Sequence, residues 1–283
     1  MEESAASDIP AMRLFVTDDD RQDEFRPDIP SPARVYNYIL GGKDHYPADR
    51  VVAENTMAAL PSARDAALEN RGFLRRAARH LAAEAGVRQF LDIGTGLPSY
   101  GQVHEIVQEI APESRIVYVD NDPVVLAHGR DMLHGVDGTA ILRHDLRDPE
   151  GILADPALRR LLDLDRPVAL LLVAVLHFIA DDEDPYDLVR RLIKPLPAGS
   201  HLVISHATDD GDDEVETALK DNYKTSSSAH VRTHAQVEAF FADLELIEPG
   251  VVWTPLWRPD EASSPLRDTP GRSVCWAGVA RKP

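Results

Sequence analysis

The spacing of apolar residues along the chain changes near residue 86. Before that point they recur every three or four positions, as at Phe73, Ala77 and Leu81, which is typical of the buried stripe of a helix. The pattern predicts three helices, at 34–40, about 48–59 and 62–84. Ser31-Pro32 provides an N-cap and a first-turn proline for the first of them.

After residue 86, short apolar runs alternate with helical stretches. The runs predict strands at 88–93, 115–120, 139–143, 168–176 and 200–206. Three intervening helices have clear starts, because a capping aspartate precedes a proline at Asp122, Asp148 and Asp184. Such alternation predicts an α/β fold, a doubly wound parallel sheet with helices on both faces.

The end of the chain breaks this alternation. Residues 244–253 and 273–281 read as strands, and the proline-rich loop between them holds no helix long enough for a parallel crossover. The last strand is therefore predicted to be antiparallel. We expect a seven-stranded, mostly parallel, Rossmann-like sheet over 86–283, an N-terminal helical cap over 26–85, and a disordered tail over 1–25.

Charge and composition narrow the partners. The 283 residues carry a formal net charge of -18, so we expect no nucleic-acid partner, since such binding relies on Lys and Arg. The longest apolar run, 168–180, is too short for a membrane span. The N-terminus lacks the features of a signal peptide, and Cys275 has no second cysteine to pair with. These observations favour a cytoplasmic protein; a homodimer is compatible with them.

A glycine-containing loop follows the first predicted strand, in the run Phe90-Leu-Asp-Ile-Gly-Thr-Gly-Leu-Pro98. Gly94 and Gly96, with Thr95 between them, allow a tight turn and close approach of a ligand before a helix near Ser99. Asp92 would repel a pyrophosphate and favours a cationic group such as the amino group of S-adenosylmethionine. The alternative is a structural glycine turn.

Acidic residues end the next two strands. Asp120, followed by Asn121, can accept hydrogen bonds from both ribose hydroxyls of an adenosyl group. Asp145 can accept from an adenine amino group, and Leu146 offers its backbone; alternatively, Asp145 is an ordinary turn residue. All these residues would lie at the same edge of the sheet, so we assign them to one cofactor site.

The chain resembles the actinobacterial S-adenosylmethionine-dependent methyltransferases long catalogued as a domain of unknown function. The resemblance runs from about Pro27 to the C-terminus and is carried by Ser31-Pro-Ala-Arg34-Val-Tyr36-Asn37-Tyr38, Gly41-Gly42, Asn70-Arg71, the run 90–98, Asp120-Asn-Asp-Pro123, Asp145-Leu-Arg-Asp-Pro149 and Trp257-Arg-Pro259. It implies a class I methyltransferase fold, whose sheet ends in an antiparallel strand, and S-adenosyl-L-methionine as cofactor. It implies no particular acceptor.

In the light of this resemblance, two N-terminal features gain interest. The segment with Arg34, Tyr36, Asn37 and Tyr38 could form a lid over the methyl donor, hinged at Gly41-Gly42, with tyrosine rings against the sulfonium or adenine. Packing of the tyrosines on the core is the alternative. Arg71, beside Asn70, could bind the methionine carboxylate with its guanidinium fork; a solvated helix face is the competing interpretation.

Methyl transfer to a small-molecule acceptor requires chiefly a well-placed nucleophile. His177 is the candidate general base, while Phe178, His206 and Tyr223 are candidates for contacting the acceptor. Histidines at strand ends are more often structural. No cluster of Cys, His and acidic residues predicts a metal site.

Two other functions use the same features. A nicotinamide-dependent oxidoreductase would also need the glycine turn and Asp120, but it gives Asp145 no role. A non-catalytic S-adenosylmethionine-binding module would keep the fold without turnover.

Overall fold

The alternating pattern folds into one eight-stranded sheet covered on both faces. The computed structural model describes residues 25–99, 101–211, 229–260 and 264–283. The strands are β1 (Gln89–Ile93), β2 (Arg115–Asp120), β3 (Thr139–Arg143), β4 (Ala169–Val173), β5 (His201–Ala207), β6 (Glu245–Leu246), β7 (Val252–Trp253) and β8 (Cys275–Arg281). All five residues of β1 are buried, as expected for a strand with helices on both sides.

The α-helices of the described residues include the three predicted N-terminal helices and those predicted to follow Asp122, Asp148 and Asp184. They are α1 (Pro32–Ile39), α2 (Pro47–Ala59), α3 (Ala63–Ala83), α4 (Val103–Ile110), α5 (Pro123–Met132), α6 (Pro149–Ala154), α7 (Pro156–Leu161), α8 (Pro185–Ile193) and α9 (His234–Glu238). The three predicted caps are confirmed, because the side chains of Asp122, Asp148 and Asp184 each accept a backbone N–H of the helix that follows. None of the helices within the described residues is long and apolar enough to cross a membrane.

The strand order is β3-β2-β1-β4-β5-β8-β6, with β7 also paired to β8. Strands β1 to β5 are parallel, whereas β8 is antiparallel to β5, β6 and β7. The predicted antiparallel ending is thus confirmed. The predicted strand 244–253 is instead two short strands, because the chain turns at Gly250, whose φ is 84° and whose N–H donates to the carbonyl of Ile247. The sheet therefore has eight strands.

Two other boundaries differ from the prediction, and both lie at the edge where parallel strands end. The predicted strand 168–176 stops at Val173, because Ala174 adopts a left-handed backbone with φ 57°. The helix expected near Ser99 begins only at Val103, where the Glu105 carboxylate accepts the N–H groups of Gly101 and Gln102. Loops therefore follow β1 and β4 at this edge of the sheet.

The core has a layer on each face of the sheet. Alternate residues of one strand enter different layers, since Leu91 packs in one cluster and Phe90 in the other. The second cluster includes Phe73, Ala77 and Leu81 of α3. This long helix covers the sheet with its C-terminal part and contacts α1 and α2 as well. It therefore links the N-terminal helices to the sheet.

Candidate functional site

A cavity of about 500 Å³ lies over the carboxyl ends of the parallel strands. Its strand side is lined by residues 92–96, 120–122, 144–147 and 173–175. Its helix side is formed by α1, α2, the first turns of α3 and the start of β8, and includes Val35, Ile39, Val52, Leu60, Ala63, Ala66 and Val274. Crevices at this edge of a parallel sheet are where ligands of such folds bind.

The glycine loop has a backbone that other residues would not readily adopt. Gly94 and Gly96 have φ of 74° and 68°, in the left-handed region that favours glycine. A Cβ atom on Gly94 would lie 2.3 Å from Cγ2 of Val175. The Gly96 N–H donates to Asp120 at 2.9 Å. This loop therefore brings bare backbone to the cavity wall and is tied to β2.

Asp120 holds its position through two backbone donors. One carboxylate oxygen accepts from Gly96 and the other accepts from the N–H of Asp122 at 3.0 Å. Burial raises the pKa of Asp120 despite these hydrogen bonds. Because each oxygen retains a further lone pair, the carboxylate can still accept hydroxyl donors from the cavity.

Arg71 and Asp92 form the charged floor between the two sides. Burial raises the pKa of Asp92 to about 6, opposed by the positive charge of Arg71 and a hydrogen bond from Thr95. The Nε and Nη2 atoms of Arg71 are buried without a hydrogen-bond partner, although the residue lines the cavity. Buried donors are normally paired, and these two form one edge of the guanidinium. That edge suits a carboxylate bound through both oxygens.

At the end of β3, Asp145 is already engaged by its neighbours. It accepts from the Asn121 amide at 2.9 Å and from the Arg147 backbone N–H at 2.9 Å. Burial acts to raise the pKa of Asp145, but these hydrogen bonds and the Arg147 charge outweigh it and leave the pKa lowered. Asp145, Asn121 and the buried Leu146 all line the cavity.

His177 and Phe178 lie on a 3₁₀ turn, Leu176–Phe178, just after the left-handed Ala174. Both side chains belong to residues that line the cavity. Burial, with a smaller contribution from the positive charge of Arg232, lowers the pKa of His177 to about 4. Its Nδ1 is buried without a hydrogen-bond partner. The imidazole is therefore neutral at neutral pH and has a free ring nitrogen.

His206 differs from the prediction. It is fully buried and does not line the cavity; the lining residue is its neighbour Ala207. Its Nδ1 lies 2.7 Å from the Ala207 carbonyl oxygen, and Nε2 lies 2.8 Å from Nη1 of Arg232. Because the imidazole is held behind the wall by these two groups, it is unsuited to contact an acceptor.

No sequence pattern points to Arg232, which the fold places behind the His177 turn. Its guanidinium is buried and donates to the carbonyls of Leu176 and Ile179, which flank the His177 turn, and to Asp181 at 2.6 Å. It thereby holds that turn against β5. An isolated arginine 55 residues beyond His177 gives no sequence signal of this role, because the contact is made only in the fold.

Tyr38 also lies elsewhere than predicted. Its hydroxyl donates to Glu54 at 2.9 Å and its ring packs on the edge of His45, and Tyr38 is not among the residues that line the cavity. Tyr36 lines it instead. Residues two apart on a helix point in nearly opposite directions, which explains why only one of these two tyrosines lines the cavity. Tyr223 lies outside the described residues.

The first helix is fastened to the strand side of the cavity. Ser31 Oγ donates to the carboxylate of Asp122, the N-cap of α5. The buried Arg34 lies between Asp122 and Asp49, with nitrogen–oxygen distances of 3.4 and 3.6 Å. Arg34 is thus part of the structural joint that holds α1 over the residues following Asp120.

The strand order, the antiparallel β8 and the loop–acid arrangement define the class I methyltransferase fold. Comparison with known proteins gives the same class. The sequence profile of the S-adenosyl methyltransferase family matches residues 18–283. The chain belongs to this family, and it is an S-adenosylmethionine-dependent methyltransferase. No curated protein matches it.

Solved structures agree with this assignment. A DUF574 family protein from Streptomyces avermitilis is 43% identical, with a TM-score of 0.88, over 92% of this chain and 100% of that chain. A protein from Thermobifida fusca is 42% identical, with a TM-score of 0.85, over 90% and 95% of the two chains. The mitomycin 7-O-methyltransferase MmcR shares the fold at 17% identity, with a TM-score of 0.50, over 93% and 75%. These comparisons confirm the predicted family and cofactor and give no support to an oxidoreductase.

Proposed function

We propose that this enzyme methylates a small molecule bound in the cavity between the N-terminal helices and the ends of β4 and β5. The observation that carries the proposal is the unpartnered guanidinium edge of Arg71 beside the buried Asp92. A free cationic edge next to a carboxylate is complementary to the amino acid end of S-adenosylmethionine, which bears a carboxylate and an ammonium group.

The cofactor would lie along the strand side. Asp92 would bind its ammonium group and Arg71 its carboxylate, while Asp120 would accept from the ribose hydroxyls. Asp145 and the backbone of Leu146 would lie at the adenine. Gly94 and Gly96 leave the room that close backbone approach needs, as the 2.3 Å contact of a Cβ at Gly94 illustrates.

The cofactor supplies a methyl group that its sulfonium already activates, so placement of the acceptor is the main task of the protein. We assign proton acceptance to His177, whose imidazole is neutral and has an unpartnered Nδ1. Phe178 would pack against the acceptor. The net charge of -18 argues for a small molecule and against a nucleic acid as acceptor.

Isothermal titration calorimetry tests the cofactor assignment. S-adenosylhomocysteine should bind the wild-type protein, and Asp120→Ala should weaken that binding about 10- to 100-fold, because hydrogen bonds to a charged group are lost. Asp137→Ala, an exposed loop substitution, is the control and should bind as the wild type does. Unchanged affinity in Asp120→Ala would place the ribose elsewhere, and binding of NAD alone would overturn the proposal.

A further inference from the structure

The helix side of the cavity differs in chemistry from the strand side. The Asp and Arg residues that line the cavity lie at the strand ends and in the floor. They are Asp92, Asp120, Asp122, Asp145, Arg71 and Arg147. Apart from Arg71 of α3, which forms the floor, none of the described helix residues that line the cavity carries a charge; they are mainly Val, Ile, Leu and Ala. An ion bound there would lose its hydration without finding a counter-charge, which is strongly unfavourable.

The Tyr36 and Thr56 hydroxyl groups of the helix side already have partners within the protein. The Tyr36 hydroxyl donates to the carbonyl of Ala67 at 3.0 Å and accepts from the Asn70 amide at 3.1 Å. Thr56 Oγ1 donates to the carbonyl of Val52 at 2.9 Å. Burial raises the pKa of Tyr36 and that of the Cys275 thiol each to about 12, so both stay neutral. Among the described residues, a ligand in this space therefore meets no free O–H or N–H donor and no anion.

The side chain of Asn70 also has its hydrogen-bond partners within the protein. Its Oδ1 accepts from Ser205 Oγ at 2.6 Å, and Ser205 Oγ in turn accepts the N–H of Ala174 at 3.0 Å. Among the described residues at the junction of the two sides, His177 has a ring nitrogen, Nδ1, without a hydrogen-bond partner. Among the described residues, Tyr36 and Phe178 also line the cavity, and the Phe178 ring centroid lies 4.3 Å from that of His177. Aromatic rings favour a flat aromatic partner.

We propose that the acceptor is an uncharged aromatic compound with one hydroxyl group, its ring buried among α1–α3 and Val274 and its hydroxyl directed to His177. This inference rests on the proposed function. The hydroxyl oxygen forms the bond to the methyl carbon, the carbon–sulfur bond breaks with its electron pair going to sulfur, and the hydroxyl proton passes to His177. A phenolic hydroxyl suits a weakly basic imidazole because its pKa of about 10 is low for a hydroxyl.

A set of matched probes tests the class of acceptor on the full-length protein saturated with S-adenosylhomocysteine. The probes are 2-naphthol, 2-naphthoate, 2-naphthylmethylammonium and octan-1-ol, and their binding is measured by equilibrium dialysis. We expect 2-naphthol to bind at least about tenfold more tightly than either ion, as burial of an unpaired charge requires. Equal or tighter binding of an ion overturns the proposed class, and tighter binding of octan-1-ol overturns its aromatic part.

Two variants locate the binding site. Ala66→Leu fills the helix side and should abolish 2-naphthol binding, whereas Ala83→Leu, exposed near the end of the same helix, should not. Val52→Lys places a cation there and should shift the preference from 2-naphthol to 2-naphthoate. If 2-naphthol binds Ala66→Leu unchanged, the ring does not lie among these helices.

Binding of S-adenosylhomocysteine distinguishes failure of this inference from failure of the proposed function. If S-adenosylhomocysteine fails to bind the wild-type protein, the proposed function itself fails. If it binds while 2-naphthol does not, only the acceptor class is wrong. Retained binding of S-adenosylhomocysteine by Ala66→Leu and Val52→Lys shows that each variant is folded.

Discussion

The two sides of the cavity are built by different means. The strand side consists of residues at or just beyond the ends of parallel strands, so each acid or glycine lies close to one edge of the sheet. The helix side consists of apolar residues of three helices and the start of β8, brought together only by tertiary packing. The cofactor side therefore depends on backbone geometry and charge at single positions. The acceptor side depends on the volume and polarity that many residues provide together.

The largest effect is expected where backbone geometry leaves no room. In Gly94→Ala the new Cβ would meet Val175 at 2.3 Å, at a position with φ 74°. We expect affinity for S-adenosylhomocysteine to fall by roughly 100-fold or more, because the loop must shift by about an ångström, and stability to fall by about 1–3 kcal/mol. Calorimetry and thermal unfolding measure the two changes.

Gly135→Ala is the matched control for this substitution. Gly135 also has a positive φ, 77°, but a Cβ there would meet no atom within 4 Å. It should lose some stability from backbone strain and keep its cofactor affinity. If Gly94→Ala binds S-adenosylhomocysteine as well as Gly135→Ala does, the loop does not carry the cofactor.

The different construction of the two sides also decides how much the sequence could predict. Asp92, Gly94, Asp120 and Asp145 were placed at one edge from sequence alone, because a strand followed by a turn fixes where its last residues point. The carboxyl ends of parallel strands meet, so three local patterns predict one site. Their assignment to parts of the cofactor stays a prediction.

The cavity-lining residues of the helices were harder to predict from the sequence, for a physical reason. The sequence pattern shows that a helix is amphipathic, but the face that meets the cavity depends on how the helix packs. Of the two tyrosines of the predicted lid, Tyr36 lines the wall and Tyr38 does not. The position of His206 was predicted wrongly, because the sequence does not show whether a side chain near a strand end faces the cavity or is buried behind the strand. Arg232 acts across 26 residues of chain, through its contact with His206, and no local pattern reveals such a pair.

An intermediate effect is expected for the guanidinium edge. Arg71→Gln removes a charged donor pair, so affinity for S-adenosylhomocysteine should fall about 10- to 100-fold. Affinity for 5′-methylthioadenosine, which lacks the amino acid end, should hardly change. Arg79→Gln, exposed on the same helix, is the control. Equal losses for both ligands would show that Arg71 supports the fold of the site and does not bind the carboxylate.

The smallest effect separates the charge of Asp92 from its shape. Because burial raises the pKa of Asp92 to about 6, this carboxyl is largely protonated at pH 5 and largely ionised at pH 7. Only the ionised form attracts an ammonium group, so affinity for S-adenosylhomocysteine should rise about tenfold over this range and then level off. Calorimetry at several pH values measures the slope of affinity against pH.

Two controls accompany this measurement. Asp92→Asn should bind S-adenosylhomocysteine more weakly and without this slope, and the affinity of the wild type for 5′-methylthioadenosine should show no such slope. A slope of equal size for 5′-methylthioadenosine would assign the titration to another group, because that ligand offers Asp92 no ammonium partner.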